Sequence, residues 1–185
     1  KDLLENQAAL ASLTDAQKLG LKYISDLAQR IPRSEMDEWN EALQGIASGV
    51  MLGSYRRNKA TSGDVDFLLC GGKKVVEVYV KKMQKSDKVE VLGTFSKGEA
   101  QWQGVAKLRK GSVARHVDIF CYPTATVGYA LLHATGSGDF NIRCRRQAID
   151  KGYTLSQYGL SPKPDDLILT GYAEEDERKI LEHIG

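Results

Sequence analysis

The stretch Leu52-Gly53-Ser54-Tyr55-Arg56-Arg57, running on to Thr61-Ser62-Gly63-Asp64-Val65-Asp66-Phe67-Leu68-Leu69, constrains this chain more than any other. Apolar residues lead into a Gly-Ser turn. A basic segment follows, then a second Ser-Gly turn, then two carboxylates with one residue between them and a run of buried-strand character. Residues two apart on a strand face the same side, so Asp64 and Asp66 stand side by side. Two like charges that close are costly unless a cation lies between them. A hard divalent ion such as Mg²⁺ takes carboxylate oxygens and keeps positions open for substrate phosphates. Gly53 and Ser54 add backbone and hydroxyl donors, and Arg57 adds charge. The segment has the chemistry of a metal–triphosphate site on a strand–turn–strand frame.

Around that frame, strand and helix signals alternate. Thr14 with Gln17 has the form of a capping box and opens a helix over 15–29, which Pro32 closes. Ser34 caps a second helix running to about Gln44, with Trp39, Leu43 and Ile46 as core contacts. Residues 50–52 and 65–70 read as strands, and 75–83 as a helix despite its valines. Strands at 89–96 and 101–108 flank a short turn, Lys97-Gly98-Glu99-Ala100, which is a hairpin signal. A strand over 114–122 alternates around Val117, Ile119 and Cys121 and ends at Pro123. A helix over 126–135, an Asp139-capped basic helix to about Lys151, short extended pieces near 153–160, a turn at 161–164 and an acidic-headed helix over 173–183 complete the chain. A composition shift near Pro123 separates a strand-rich unit from a smaller helical one.

A site that holds two metals needs a further ligand beyond Asp64 and Asp66. Asp118 is the candidate, because an Asp inside the strand Arg115-His116-Val117-Asp118-Ile119-Phe120 is expensive to bury unless it binds something. Taken alone, Asp118 fits a salt bridge on a solvent face equally well. Beside Asp64 and Asp66, the metal reading prevails.

Composition narrows the class. The chain has 185 residues, 42% hydrophobic and 27% charged, enough for one substantial core or two small ones. No apolar run approaches the ~20 residues that span a bilayer, and no basic-then-apolar leader opens the sequence. Cys70, Cys121 and Cys144 are odd in number and widely spaced, which suits a reducing compartment and excludes a zinc pairing. The net charge is only +2. Its distribution says more: basic clusters at 56–59, 107–115 and 143–146 suggest polyanion contact at defined places.

An apolar residue, Gly53-Ser54, nine residues and Asp64-x-Asp66 resemble the signature of the nucleotidyltransferase superfamily. The longer match is similar to the family X DNA polymerases, the group of polymerases beta, lambda, mu, terminal transferase and fungal polymerase IV. Gly20-Leu21-Lys22-Tyr23, Arg30-Ile31-Pro32-Arg33, Arg115-His116-Val117-Asp118, Thr135-Gly136-Ser137 with Phe140-Asn141 and Arg145, and Lys151-Gly152-Tyr153-Thr154-Leu155 resemble further family motifs in the family's order.

The resemblance implies an α+β fold: a nucleotidyltransferase palm, with a mixed sheet flanked by helices, plus a small C-terminal nucleotide-selection subdomain of helices and short strands. It divides the chain into the end of a DNA-binding subdomain (1–20), the palm (21–124) and the nucleotide-selection subdomain (125–185), a fragment of the catalytic core without a lyase domain. Asp64 and Asp66 would bind two Mg²⁺ ions, for which Mn²⁺ can substitute, and Asp118 the catalytic one beside the primer 3′-hydroxyl. Gly53, Ser54, Arg57, Ser62, Gly63 and Lys18 would hold the triphosphate. His133, Ala134 and Gly136 would line the sugar, Asn141 would face the incoming base, and His116 and Arg145 would contact DNA. The implied substrates are primer-template or gapped DNA and a nucleoside triphosphate. The resemblance also implies that DNA ligase and end-joining factors would be partners through other regions, and that the location would be nuclear.

Three departures qualify this. His133-Ala134 stand where beta and lambda carry Tyr-Phe and where mu and terminal transferase carry Gly-Trp, which implies weak discrimination against a ribose. His116 replaces a frequent Arg near the primer phosphate. The connection at 97–100 is short where terminal transferase and mu carry a long loop, which implies template-dependent gap filling. The competing readings are a nucleotidyltransferase with another acceptor, a template-independent terminal transferase and an inactive DNA-binding module.

Overall fold

The computed structural model describes residues 10–111, 113–162 and 177–185. The expectations for residues 1–9, for residues 163 and 164 of the turn at 161–164 and for the start of the last helix lie outside the described residues; Ser161 and Pro162 of that expected turn belong instead to a strand, Gly159–Pro162.

The centre is a five-stranded mixed sheet. Its strands are β2 (Val50–Met51), β4 (Val65–Cys70), β5 (Val89–Lys97), β6 (Gln101–Leu108) and β7 (Arg115–Tyr122), in the order β2-β4-β7-β6-β5. Within it only β4 and β7 run parallel; every other pairing is antiparallel. A parallel pair needs a long crossover. Here it holds helix α5 (Val75–Gln84) and the β5–β6 hairpin. Strand alternation sends Val65, Phe67 and Leu69 of β4, and Val117, Ile119 and Cys121 of β7, to one face. They pack there with Met36, Trp39, Ala42 and Leu43 of α3 (Arg33–Gln44) and with Val76, Tyr79 and Met83 of α5 in the main core. The opposite face carries Asp66 and Leu68 on β4 and Asp118 and Phe120 on β7. Its apolar half is covered by α6 (Val127–Thr135), where Leu52, Leu68 and Ala130 are buried with Phe120 and Ala134 against them.

A second, smaller core forms where α6, α7 (Gly138–Asp150), the hairpin β8–β9 (Tyr153–Ser156, Gly159–Pro162) and α8 (Glu177–Ile184) meet. It buries Tyr129, Leu132, Cys144, Ala148, Leu155, Leu160 and Ile180. Cys121 and Cys144 are core residues, whereas Cys70 is exposed. Among the described residues, no helix is long and apolar enough to cross a membrane.

Local signals decide most elements, and tertiary contacts shift some ends. The capping box at Thr14 and Gln17 forms at the start of α1 (Asp15–Lys22). The helix expected over 15–29 breaks at Tyr23 and resumes as α2 (Ile24–Leu27); Asp26 there accepts the Ala114 amide at 2.9 Å. Ser34 does not cap α3. The helix starts two residues earlier than that cap would place it, after Pro32, because Arg33 N–H is already held by Ala60 O where β1 (Ile31–Pro32) pairs with β3 (Thr61–Ser62). The cap of α7 is Ser137, whose hydroxyl accepts from Phe140 N–H, not Asp139.

Candidate active site

The Gly-Ser turn is a single helical turn, α4 (Gly53–Arg56), hung on β4 by a 2.9 Å bond from Leu52 N–H to Asp66 O. Gly53 has φ +57°, and a Cβ there would lie 2.6 Å from Asp66 Oδ2. Only glycine allows both this backbone and this approach. The turn therefore rests against the Asp66 carboxylate. Ser54 Oγ donates to Ser62 Oγ at 2.9 Å, which joins the two turns of the sequence motif. Ser62 is buried.

Asp66 and Asp118 face each other in register across the parallel pair. Asp64 sits just before β4. Burial, then the charges of Asp64 and Asp118, push the Asp66 carboxyl up to about 7, against the opposing pull of His116 and Arg57. Asp118 is buried. Its Oδ2 accepts from Gln103 Nε2 at 3.1 Å. Its Oδ1 lies 3.0 Å from His116 Nε2, an ion-pair distance but off the line of a hydrogen bond, and neither buried atom has a hydrogen-bond partner among the described residues. Pairing with Asp118 raises the His116 pKa. The ring also stands edge-on to Phe95, with centroids 5.4 Å apart.

This donor set fits a hard divalent cation. A buried carboxylate oxygen met only by the His116 ring nitrogen, off the line of a hydrogen bond, and a carboxyl driven toward neutrality by burial and then by two neighbouring acids, both suit a place where a cation binds. Among the described residues, no group of three or more His, Cys, Asp or Glu side chains is placed to hold a metal ion by itself.

Arg57 joins this face to α6. Its Nη1 donates to Thr135 O, its Nε is buried without a partner among the described residues, and a Cβ on Gly136, whose φ is +72°, would come within 3.0 Å of Nη1. Arg56 donates to Thr135 Oγ1 and forms a two-point pair with Glu177 at 2.9 and 2.6 Å. The predicted sugar and base residues also meet. Asn141 Nδ2 donates to His133 O at 2.7 Å, and Arg145 Nη2 lies 3.2 Å from His133 Nδ1. Burial and the Arg145 charge lower the His133 pKa.

Of the triphosphate candidates, Gly53, Ser54, Arg57, Ser62 and Gly63 lie on or beside the two joined turns. Lys18 does not. It lies on α1, whose Leu19 packs over Gly93 of β5, at the opposite edge of the sheet from the Gly-Ser turn. The cation that does reach the second turn is Arg30. Its Nη1 lies 3.1 Å from where a Cβ of Gly63 would be, and its Nε and Nη2 donate to Thr61 Oγ1 and O at 3.2 and 2.9 Å. Arg30 falls within a motif that the sequence shows, but no spacing rule ties it to Gly63.

A mixed sheet carrying facing carboxylates beside a Gly-Ser turn defines a nucleotidyltransferase palm. The model of the DNA polymerase beta palm matches residues 30–124, and that of the DNA polymerase beta thumb matches 130–185. The chain belongs to the family X DNA polymerases. It is 34% identical over 171 residues to DNA polymerase lambda of Arabidopsis thaliana, covering 82% of this chain and 32% of that protein. With DNA polymerase lambda of Rattus norvegicus it shares 33% over 174 residues, covering 85% and 30%. The chain thus spans about a third of the length of these curated relatives. Two structures of Leishmania infantum polymerase beta, a ternary P/T complex and a ternary gap complex, superpose with TM-score 0.85 at 27% identity. They cover all of this chain and 83% and 76% of theirs.

Proposed function

We propose that the chain is the catalytic core of a DNA-directed DNA polymerase that extends a primer 3′-hydroxyl, filling short gaps in nuclear DNA repair. The observation that carries this reading is the pairing of Asp66 with Asp118 across β4 and β7, with the Gly53 turn seated on Asp66. Family membership carries dependence on a divalent metal. Asp64, Asp66 and Asp118 are the residues that would hold Mg²⁺, which when bound neutralises phosphate charge and activates the attacking oxygen. Gly53, Ser54, Arg57, Ser62 and Gly63 position the triphosphate, and Asp118 Oδ1 accepts the 3′-hydroxyl proton once His116 yields it. Phosphoryl transfer is mostly positioning and charge neutralisation, and these groups supply both. Asn141 and Arg145 serve the incoming base and the template once released from His133. The main core before residue 124 and the smaller core after it support a division into palm and nucleotide-selection parts, joined by the cluster of Leu52, Leu68 and Ala130.

The test is extension of a one-nucleotide gap with Mg²⁺. Asp118→Ala should reduce extension by at least ~10³-fold while DNA binding persists; unchanged extension would remove Asp118 from the site. The turn between β5 and β6 spans only residues 98–100, which favours dependence on a template. Efficient addition to a single-stranded primer would overturn that.

The pair His133-Ala134 supports weak sugar discrimination. Ala134 offers little bulk, and the His133 ring is held beside Arg145. Matched ribo- and deoxyribonucleotides should differ in insertion efficiency by less than ~10³-fold, the scale that a built steric or polar rejection supplies. A larger preference for deoxyribose would show that another group excludes the 2′-hydroxyl.

A further inference from the structure

Helix α5 is apolar on two sides. Val76, Tyr79, Val80 and Met83 enter the main core, as expected for a helix packed on a sheet. Val75 is partly buried against that core, and Val78 stays outside it, 51% exposed. With Tyr79 and Lys82 they occur at i, i+3, i+4 and i+7, one continuous helical stripe. That stripe, with Leu69 at the end of β4, floors a groove of about 300 Å³ beneath the loop at Ala47 and Ser48. The groove lies beyond the C-terminal end of β4, whereas Asp64 and Asp66 lie at its other end. It takes no part in the site already described.

The rim of the groove is cationic. Lys73, Lys74 and Lys82 line it. Among the described residues, the side chains of Lys73 and Lys82 make no ion pair or hydrogen bond, and both residues are exposed. The one acid on α5, Glu77, is paired with Lys81 at 2.7 Å. An apolar floor is wasted on a phosphate backbone, which asks for charge alone. A floor of valines inside a lysine rim instead matches an amphipathic helix with leucines on one face and carboxylates flanking them. We infer that this groove is a docking site for an acidic amphipathic helix of a partner protein. The inference does not depend on the polymerase reading, because none of its residues belongs to the candidate active site.

Direct binding, followed by the anisotropy of a labelled peptide, supplies the readout. The probe is a synthetic helical peptide with leucine at i, i+3, i+4 and i+7 and glutamate elsewhere, added to the full chain. It should bind with micromolar affinity. Lys73→Glu with Lys82→Glu, and separately Val78→Glu, should each weaken binding by about tenfold with thermal stability unchanged. Three outcomes would overturn the proposal: no binding of the peptide, equal binding of an all-glutamate peptide without leucines, or equal binding of a single-stranded oligonucleotide. The last would mark the rim as a nucleic-acid surface instead.

Discussion

Strand β7 carries two buried charges three residues apart, and they have opposite fates. Arg115 points to the core side of the sheet. Its Nε and Nη2 meet both oxygens of Glu35 at 2.7 and 2.6 Å, and its Nη1 donates to Gln29 O at 3.1 Å. Asp118 points to the other side, where it faces Asp66 in register and keeps one oxygen without a hydrogen bond among the described residues. Both residues are less than a tenth exposed. The first is a closed structural tie between β7 and α3. The second is only partly met, by Gln103 on one oxygen and by the off-line His116 ring on the other. Burial of charge therefore says little by itself. Whether the partner groups are all present separates a strut from a site.

The sharpest break of this comparison removes one member of the strut. Arg115→Ala leaves Glu35 partly buried without its partner and should cost about 3 kcal/mol, read as a lowered midpoint in denaturant titration. The double variant Arg115→Met with Glu35→Leu should recover most of that loss, since a pair replaced by apolar groups is often close to neutral. If the double variant is no better than the single one, the pair does more than hold β7 to α3.

The open side should respond in the opposite sense. In the folded chain, Asp66 binds its proton up to about pH 7, well above the unfolded carboxyl. The folded state then holds the extra proton between these values, so its stabilising contribution is full below the unfolded pKa and is lost as pH rises through about 7. The raised His116 pKa acts in the same direction. Metal-free protein should therefore lose stability between pH 5 and pH 8, by on the order of a few kcal/mol. Asp66→Asn should remove most of that slope and raise the melting temperature at pH 8 in the presence of a chelator, while extension is abolished. An unchanged slope in the variant would place the titrating group elsewhere.

The sequence made one side of this contrast far more legible than the other. Alternation along 65–70 and 115–122 tells which side chains share a face, and an Asp in an apolar strand announces its own cost, so Asp66 and Asp118 stand out from the sequence alone. Gly53 is visible too, although the reason for it, a Cβ position occupied by Asp66 Oδ2, is not. Periodicity does not tell which strands become neighbours. The parallel register of β4 with β7, formed across a long crossover, is a tertiary outcome. The Arg115–Glu35 tie joins residues 80 positions apart and leaves no local signal. The ends of α3 and α7 shifted for the same reason: the pairing of β1 with β3 and the Ser137 hydroxyl outweighed the residues that propensity favoured. Lys18 is the plainest loss, since charge composition records that a lysine exists and not which edge of the sheet it occupies.

The smallest expected effect concerns that loss and tests whether geometry assigns charge better than sequence. Arg30 and Lys18 are both exposed cations N-terminal to α3. Only Arg30 is held at the second turn, by its two bonds to Thr61. A guanidinium fixed beside Gly63 offers a planar fork to a phosphate, whereas an ammonium at the far edge of the sheet offers charge at a distance that salt screens. Arg30→Ala should raise the Kd for the incoming nucleotide about tenfold, ~1.4 kcal/mol, and Lys18→Ala should change it by less than about twofold. Arg30→Lys should fall between them, because it keeps the charge and loses the fork. Thr61→Val removes the Nε partner of Arg30 but leaves the backbone one. It should produce a smaller loss than Arg30→Ala if position as well as charge matters, and none if charge alone does. Equal losses for Arg30→Ala and Lys18→Ala would mean that α1 reaches the triphosphate by a route the resting structure does not take.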